Sequence, residues 1–154
     1  MLHQNHYDAF TGLGHFKKNA LVRFFNRYLE HKWLDESSLF RAIDYALKEI
    51  PSFGGFILTA EIENEIVAAL VVNKTGFAGI MPEYLLVLQA VKPIAKSKVI
   101  VRKLEEKAIA LAQGDISFLN KERGPKELLL ENMTAHAKFR EITNKVENRS
   151  KASA

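Results

Sequence analysis

The chain has 154 residues, 47% of them apolar and 26% charged, with a formal net charge of +4, which suits one soluble domain with a core of its own. It has no cysteine, which excludes disulfides, a thiolate nucleophile and a thiolate metal site. No apolar run is long enough to span a bilayer and no secretory leader opens the chain, so no membrane partner and a cytoplasmic location are expected. The mild positive charge fits solubility, and no nucleic-acid motif accompanies it.

Residues 1–19 show no clear period and contain Gly12 and Gly14; they read as a poorly specified leading segment with at most a short strand. His3, His6 and His15 lie there without a carboxylate partner at ligand spacing, and no metal site is expected. From Ala20, Leu21, Phe24, Phe25, Tyr28 and Leu29 recur at helical spacing opposite Arg23, Asn26, Arg27 and Glu30, predicting a core-packing helix that ends between residues 31 and 34. Asp35-Glu36-Ser37-Ser38 is a capping sequence, and Leu39, Ile43, Leu47 and Ile50 predict a second amphipathic helix running to Pro51.

Gly54-Gly55 separates that helix from a hairpin over residues 56–62 and 65–73, turned at Glu63-Asn64. A loop with Gly76, Gly79 and Pro82 leads into residues 84–91, YLLVLQAV, an apolar run of strand length closed by Pro93. A basic loop follows, and Ser97 is placed to cap a helix whose buried stripe is Ile100, Leu104, Ala108 and Leu111, with Arg102, Lys103, Glu105, Glu106 and Lys107 facing water. Strand, loop, helix aims a helix N-terminus beyond the strand's carboxyl end, a position that suits a phosphate. Lys92, Lys96, Lys98, Arg102 and Lys103 surround it with no acidic residue between them.

Gly114 ends the helix, residues 115–119 read as a strand, 120–124 as a charged turn, and Pro125 as the first residue of a helix over KELLLENM. A last strand is expected within residues 137–146, and 147–154 as a polar tail; a single domain therefore covers 20–146.

The order strand, Ala90-Val91-Lys92-Pro93, basic loop, helix resembles the coenzyme A motif of the GNAT superfamily of N-acetyltransferases. That family's loop reads Arg/Gln-x-x-Gly-x-Gly/Ala and falls here on Lys96, Ser97, Lys98, Val99, Ile100 and Val101, so Lys96 keeps the charge while Val99 and Val101 stand in place of glycines. The resemblance implies an α/β (α+β) fold with a mixed, mostly antiparallel central sheet and helices on both faces. It implies acetyl-CoA as cosubstrate, with the pantetheine arm paired to the backbone of Leu88, Gln89, Ala90 and Val91 and the pyrophosphate held by Lys96 through Arg102. The acceptor would be a small-molecule or peptide amine, its channel flanked by the first two helices near Trp33, Asp35, Asp44 and Tyr45. A carboxylate base acting through water would come from Glu61, Glu63 or Glu83.

In the same frame, the tyrosine that protonates the leaving thiolate falls on Leu130, or on Phe139 if the alignment starts at Asn132. Neither side chain carries a proton to give, and His136 or Tyr84 would have to substitute. Two functions follow: an acyl-CoA-dependent N-acetyltransferase, or a catalytically inactive GNAT-like binding or regulatory module. Exposed sheet edges make a homodimer reasonable.

Overall fold

In the computed structural model, residues 1–29, 34–120 and 129–134 are described. The elements run β1 (Leu2–Tyr7), α1 (His15–Tyr28), α2 (Glu36–Ala46), β2 (Gly55–Ile62), β3 (Glu65–Lys74), β4 (Tyr84–Val91), α3 (Ser97–Leu111), β5 (Ile116–Asn120) and β6 (Leu129–Asn132). The strands form one six-stranded sheet in chain order. Every neighbouring pair is antiparallel except β4 and β5, which are parallel because α3 carries the chain back between them.

Helices cover both faces, as the sequence predicted. On one face α3 lays Ile100, Leu104 and Ala108 over Phe56, Leu58, Leu70 and Leu86. On the other, Leu21 and Phe25 of α1 and Leu39 and Ile43 of α2 meet Ile57, Ala69, Val71 and Leu88. This double cover explains why β2 and β3 read as near-continuous apolar runs rather than alternating ones. Glu63 and Asn64 join them with φ of 51° and 66°, the two left-handed residues that a tight hairpin requires.

Several boundaries differ from expectation. The leading segment is better ordered than its composition suggests: β1 pairs with β2 at six positions, from Leu2 opposite Ile62 to Tyr7 opposite Ile57. Helix α1 starts at His15, five residues before Ala20, on a Gly14 cap with no side-chain hydrogen bond, which is why no start signal was visible. Helix α2 begins where predicted, with Asp35 accepting from the Ser38 N–H, but stops at Ala46, and Ile50 is exposed.

On α3, Leu111 is exposed and Glu105 buried, the reverse of the expectation; Glu105 shares the inward stripe of Val101 and Ala112. The helix predicted over KELLLENM is overturned for residues 129–132, which form β6 against β5 because the β5 edge offers an open ladder. Helix α1 stops at Tyr28, short of the expected end between 31 and 34, because Leu29 turns to extended backbone as its C-cap. Trp33, the turn residues 121–124, Pro125, the strand at 137–146 with Phe139 and His136, and the tail lie outside the described residues.

Candidate functional site

Two registers meet on β4. Against β3, Val71 lies opposite Leu88 and Val72 opposite Leu86, so Val87 is an extra, bulged residue. The bulge resets the alternation of faces. Leu86 packs on the α3 side while Leu88 and Ala90 pack on the α1/α2 side, and Gln89 is returned to α3. Against β5, pairing covers Tyr84, Leu85 and Leu86 opposite Ile116, Ser117 and Phe118 and then ends. From Val87 to the end of the strand, among the described residues, no strand pairs with that side of β4. The open stretch contains Leu88, Gln89, Ala90 and Val91, the four strand positions singled out in the sequence.

The loop after β4 is short and closed by its own hydrogen bonds. The Lys92 N–H donates to Val67 O at 2.8 Å, continuing the sheet for one residue. Ser97 does not cap α3. Its hydroxyl accepts from the Ile94 N–H at 2.7 Å and shares its proton between Lys92 O and Ile94 O, at 2.7 and 2.6 Å, stapling residues 92–97 into one turn. The cap position falls to Lys96, which makes no side-chain cap bond, and the first turn holds no acidic residue. The backbone N–H groups of Lys98 and Val99 are thus left without an intrahelical acceptor.

Lys96, Lys98, Arg102 and Lys103 are exposed around this helix start, and among the described residues none has a carboxylate within ion-pair distance; Lys92 reaches exposed Glu65 at 3.7 Å. Cations beside a helix N-terminus oppose its dipole, each by about 0.3–1 kcal/mol. Their accumulation here is a local electrostatic conflict that an anion would relieve.

Val99 and Val101 lie within α3, and no residue from 92 to 102 has a positive φ. Helical φ suits valine, so neither branched side chain opposes its own backbone conformation. What remains is bulk. Val101 turns partly into the core beside buried Ile100, while Val99 is 55% exposed over the helix start.

The predicted carboxylates do not gather at the open edge. Glu61 is buried on β2, two strands from β4, where it accepts from Asn5 Nδ2 at 2.8 Å and pairs with Lys17 of α1. Glu63 is an exposed turn residue. Glu83 precedes β4 at the far end of the strand, its N–H donating to Asp115 Oδ2 at 3.0 Å. Tyr84 sits there too, against Phe56.

Asp35 caps α2, Asp44 pairs with Lys18, and Tyr45 donates to Lys74 O at 2.8 Å, burial pushing its phenol pKa upward. Leu130 belongs to β6. Asn132 accepts from the Thr134 N–H at 3.0 Å, a helix-cap geometry at the start of the second family alignment. Among the described residues no three His, Asp or Glu side chains converge as metal ligands, and no helix is long and apolar enough to cross a membrane.

One polar contact at the site was not foreseen. Gln89 Nε2 donates to Glu105 Oε1 at 2.8 Å, tying the open part of β4 to α3. Its signal lay in spacing: Glu105 is four residues from Val101 and three from Ala108, on the helix's apolar side.

The sequence matches no protein-family model, and no curated protein matches it. Solved structures do. The ribosomal-protein-S18-alanine N-acetyltransferase from Escherichia coli superposes with a TM-score of 0.54 at 12% identity, over 80% of this chain and 69% of that one. A GNAT family acetyltransferase from Brucella melitensis, in complex with acetyl-CoA, gives 0.51 at 14% identity over 77% and 76%. An aminoglycoside acetyltransferase from an uncultured soil metagenomic sample, in complex with sisomicin, gives 0.53 at 16% identity over 79% and 78%. The fold is that of the GNAT acetyltransferases, in agreement with the resemblance read at Ala90 to Val101.

Proposed function

We propose that the chain binds acetyl-CoA between the open half of β4 and the start of α3 and transfers the acetyl group to an amine. The observation that carries this is the juxtaposition of a strand edge at residues 87–91, which no strand pairs among the described residues, with an uncapped, cation-rich helix N-terminus at residues 96–102. In this reading the backbone of Leu88, Gln89, Ala90 and Val91 pairs with the pantetheine arm. The N–H groups of Lys98 and Val99 face the pyrophosphate, and Lys96, Lys98 and Arg102 supply point charges. The acceptor nitrogen attacks the thioester carbonyl, the C–N bond forms as the C–S bond breaks, and the nitrogen's proton is lost as the thiolate gains one. The protein's part is positioning and backbone polarisation of the carbonyl. A small-molecule amine is a reasonable acceptor class, given the sisomicin complex of one neighbour, and the reading suits the cytoplasmic location expected from the sequence.

A second reading, a GNAT-like module that binds an acidic ligand without turnover, is favoured by one feature. Glu61, Glu63, Glu83 and Tyr84 all lie away from the open edge, so none of these candidate proton carriers is in place. Isothermal titration separates affinity from turnover: micromolar binding of acetyl-CoA, weakened at least tenfold by Lys98→Glu, is expected. No heat at high micromolar ligand would remove the coenzyme reading. Binding without thiol release against a panel of peptide, polyamine and aminoglycoside amines would leave the module.

A further inference from the structure

At the opposite end of the sheet two turns carry large apolar side chains into solvent. Ile50 is 52% exposed, Phe53 44%, Phe77 57%, Ile80 87% and Met81 43%. The two turns meet: Phe53 lies against Gly76, where an added Cβ would sit 3.3 Å from the ring, and the Phe53 N–H donates to Ile50 O.

The knob is built rather than loose. Thr75 Oγ1 donates to Pro82 O at 2.7 Å and its N–H to Glu83 O at 2.8 Å, closing the neck. Ile80 and Met81 both donate to Phe77 O, at 3.0 and 2.9 Å, fixing the tip. Holding apolar side chains in one geometry in water gains nothing for the fold, but it lowers the entropic cost of an interface.

We propose that this surface is where two copies of the chain associate about a two-fold axis. With about 200 Å² for a fully exposed large apolar side chain, the exposed fractions leave roughly 550 Å² on one copy, near the upper end for a patch on a monomer. Two such patches give roughly 1,100 Å² before any rim residue is counted, close to the lower bound of a specific interface; a partner must bring an equal apolar area, and a second copy does. Both signs occur beside the patch, Lys48 next to Glu49 in the chain and Lys74, opposite Tyr84, at the neck that Thr75 closes onto Glu83, so a two-fold can set cation against anion, whereas an anionic membrane or an acidic partner would want a basic rim.

The surface lies about one length of β4, roughly 25 Å, from the α3 N-terminus, so pairing through it leaves the candidate acetyl-CoA site open in both copies.

Sedimentation equilibrium up to about 100 µM, a range that populates an interface of this size, is expected to give a dimer mass for the wild type and a monomer mass for Ile80→Asp, with matching circular dichroism and melting. Val99→Ser, exposed at the other end, is expected to keep the dimer. A monomeric wild type overturns the proposal, as does a dimer that survives Ile80→Asp. A monomer that co-sediments with phosphatidylglycerol vesicles through the same residues also overturns it, in favour of a lipid surface.

Discussion

Gln89 on β4 donates to Glu105 on α3 at 2.8 Å, and Glu105 is only 6% exposed. The pair joins the two elements that bound the candidate site, on the face to which the Val87 bulge returns Gln89. Replacing Glu105 with Ala leaves the half-buried Gln89 amide without this acceptor, at a cost of about 1–2 kcal/mol. For a protein of this size that lowers Tm by several degrees, at roughly 2–4 °C per kcal/mol. Glu105→Gln keeps an acceptor and is expected to recover most of the loss, while Glu106→Ala, on the exposed side of the same helix, is expected to change little. Thermal melts of the three variants check this; equal losses for Glu105→Ala and Glu106→Ala would refute it.

Asp35 gives a pH signature at the other helical layer. Hydrogen bonds from Ser38, side chain and backbone, and then from Ser37 hold its carboxyl below the usual 3.8, against a smaller opposing push from burial. A carboxyl whose folded pKa is depressed adds stability that is complete above 3.8 and is lost as pH falls through the folded value. Asp35→Ala is therefore less stable than wild type at pH 7, and the gap closes as pH drops below 3.8. Asp35→Asn, a cap that does not titrate, keeps its stability relative to Ala at both ends. Urea titrations from pH 7 to pH 2 read the difference.

Gly55 opens β2 at φ +148°, and a Cβ there would overlap the Val72 carbonyl oxygen of the neighbouring strand. Backbone cannot yield as a flexible side chain does, so Gly55→Ala is expected to cost more than about 3 kcal/mol. Gly14, with φ −60° and nothing near its missing Cβ, is the control: Gly14→Ala loses only a favoured cap residue and is expected to cost no more than about 1 kcal/mol. Chemical denaturation distinguishes them, and a Gly55→Ala protein with wild-type stability would show that the strand start is free to move.

The elements with strong local signals were legible in the sequence. The apolar run of β4, the Glu63-Asn64 turn and the Asp35 cap each rest on short-range chemistry, and each appears where it was read. What failed depends on partners distant in the chain. β1 is a polar hexapeptide that becomes a strand because β2 offers it an edge, and residues 129–132 prefer the β5 ladder to the helix their leucines favour. Glu105 reads as a surface residue until the β4 bulge brings Gln89 over it. At the candidate site the motif pointed to residues 88–91 and 96–102 but not to their local geometry, because Ser97 spends its hydroxyl inside the loop and leaves the cap to a lysine.

That uncapped start frames the test of the loop itself. Val99 is exposed in the first turn of α3, whose side chains lean toward the N-terminus, where the free N–H groups of Lys98 and Val99 would meet a phosphate. Because its φ is already helical, Val99→Gly removes bulk without needing a new backbone conformation, at a helix cost of about 1 kcal/mol or less. One charge-assisted hydrogen bond regained, at roughly 1.5 kcal/mol, corresponds to about tenfold tighter acetyl-CoA binding. Val101→Gly is expected to behave differently: its side chain packs toward the core, so Tm falls and affinity gains little. Titration calorimetry on both variants, paired with melts, separates the two effects. If Val99→Gly leaves affinity unchanged while wild type binds, the valine's bulk is not what limits the phosphate's approach. The lysines would then carry the interaction as point charges, and raising the salt concentration should weaken binding steeply.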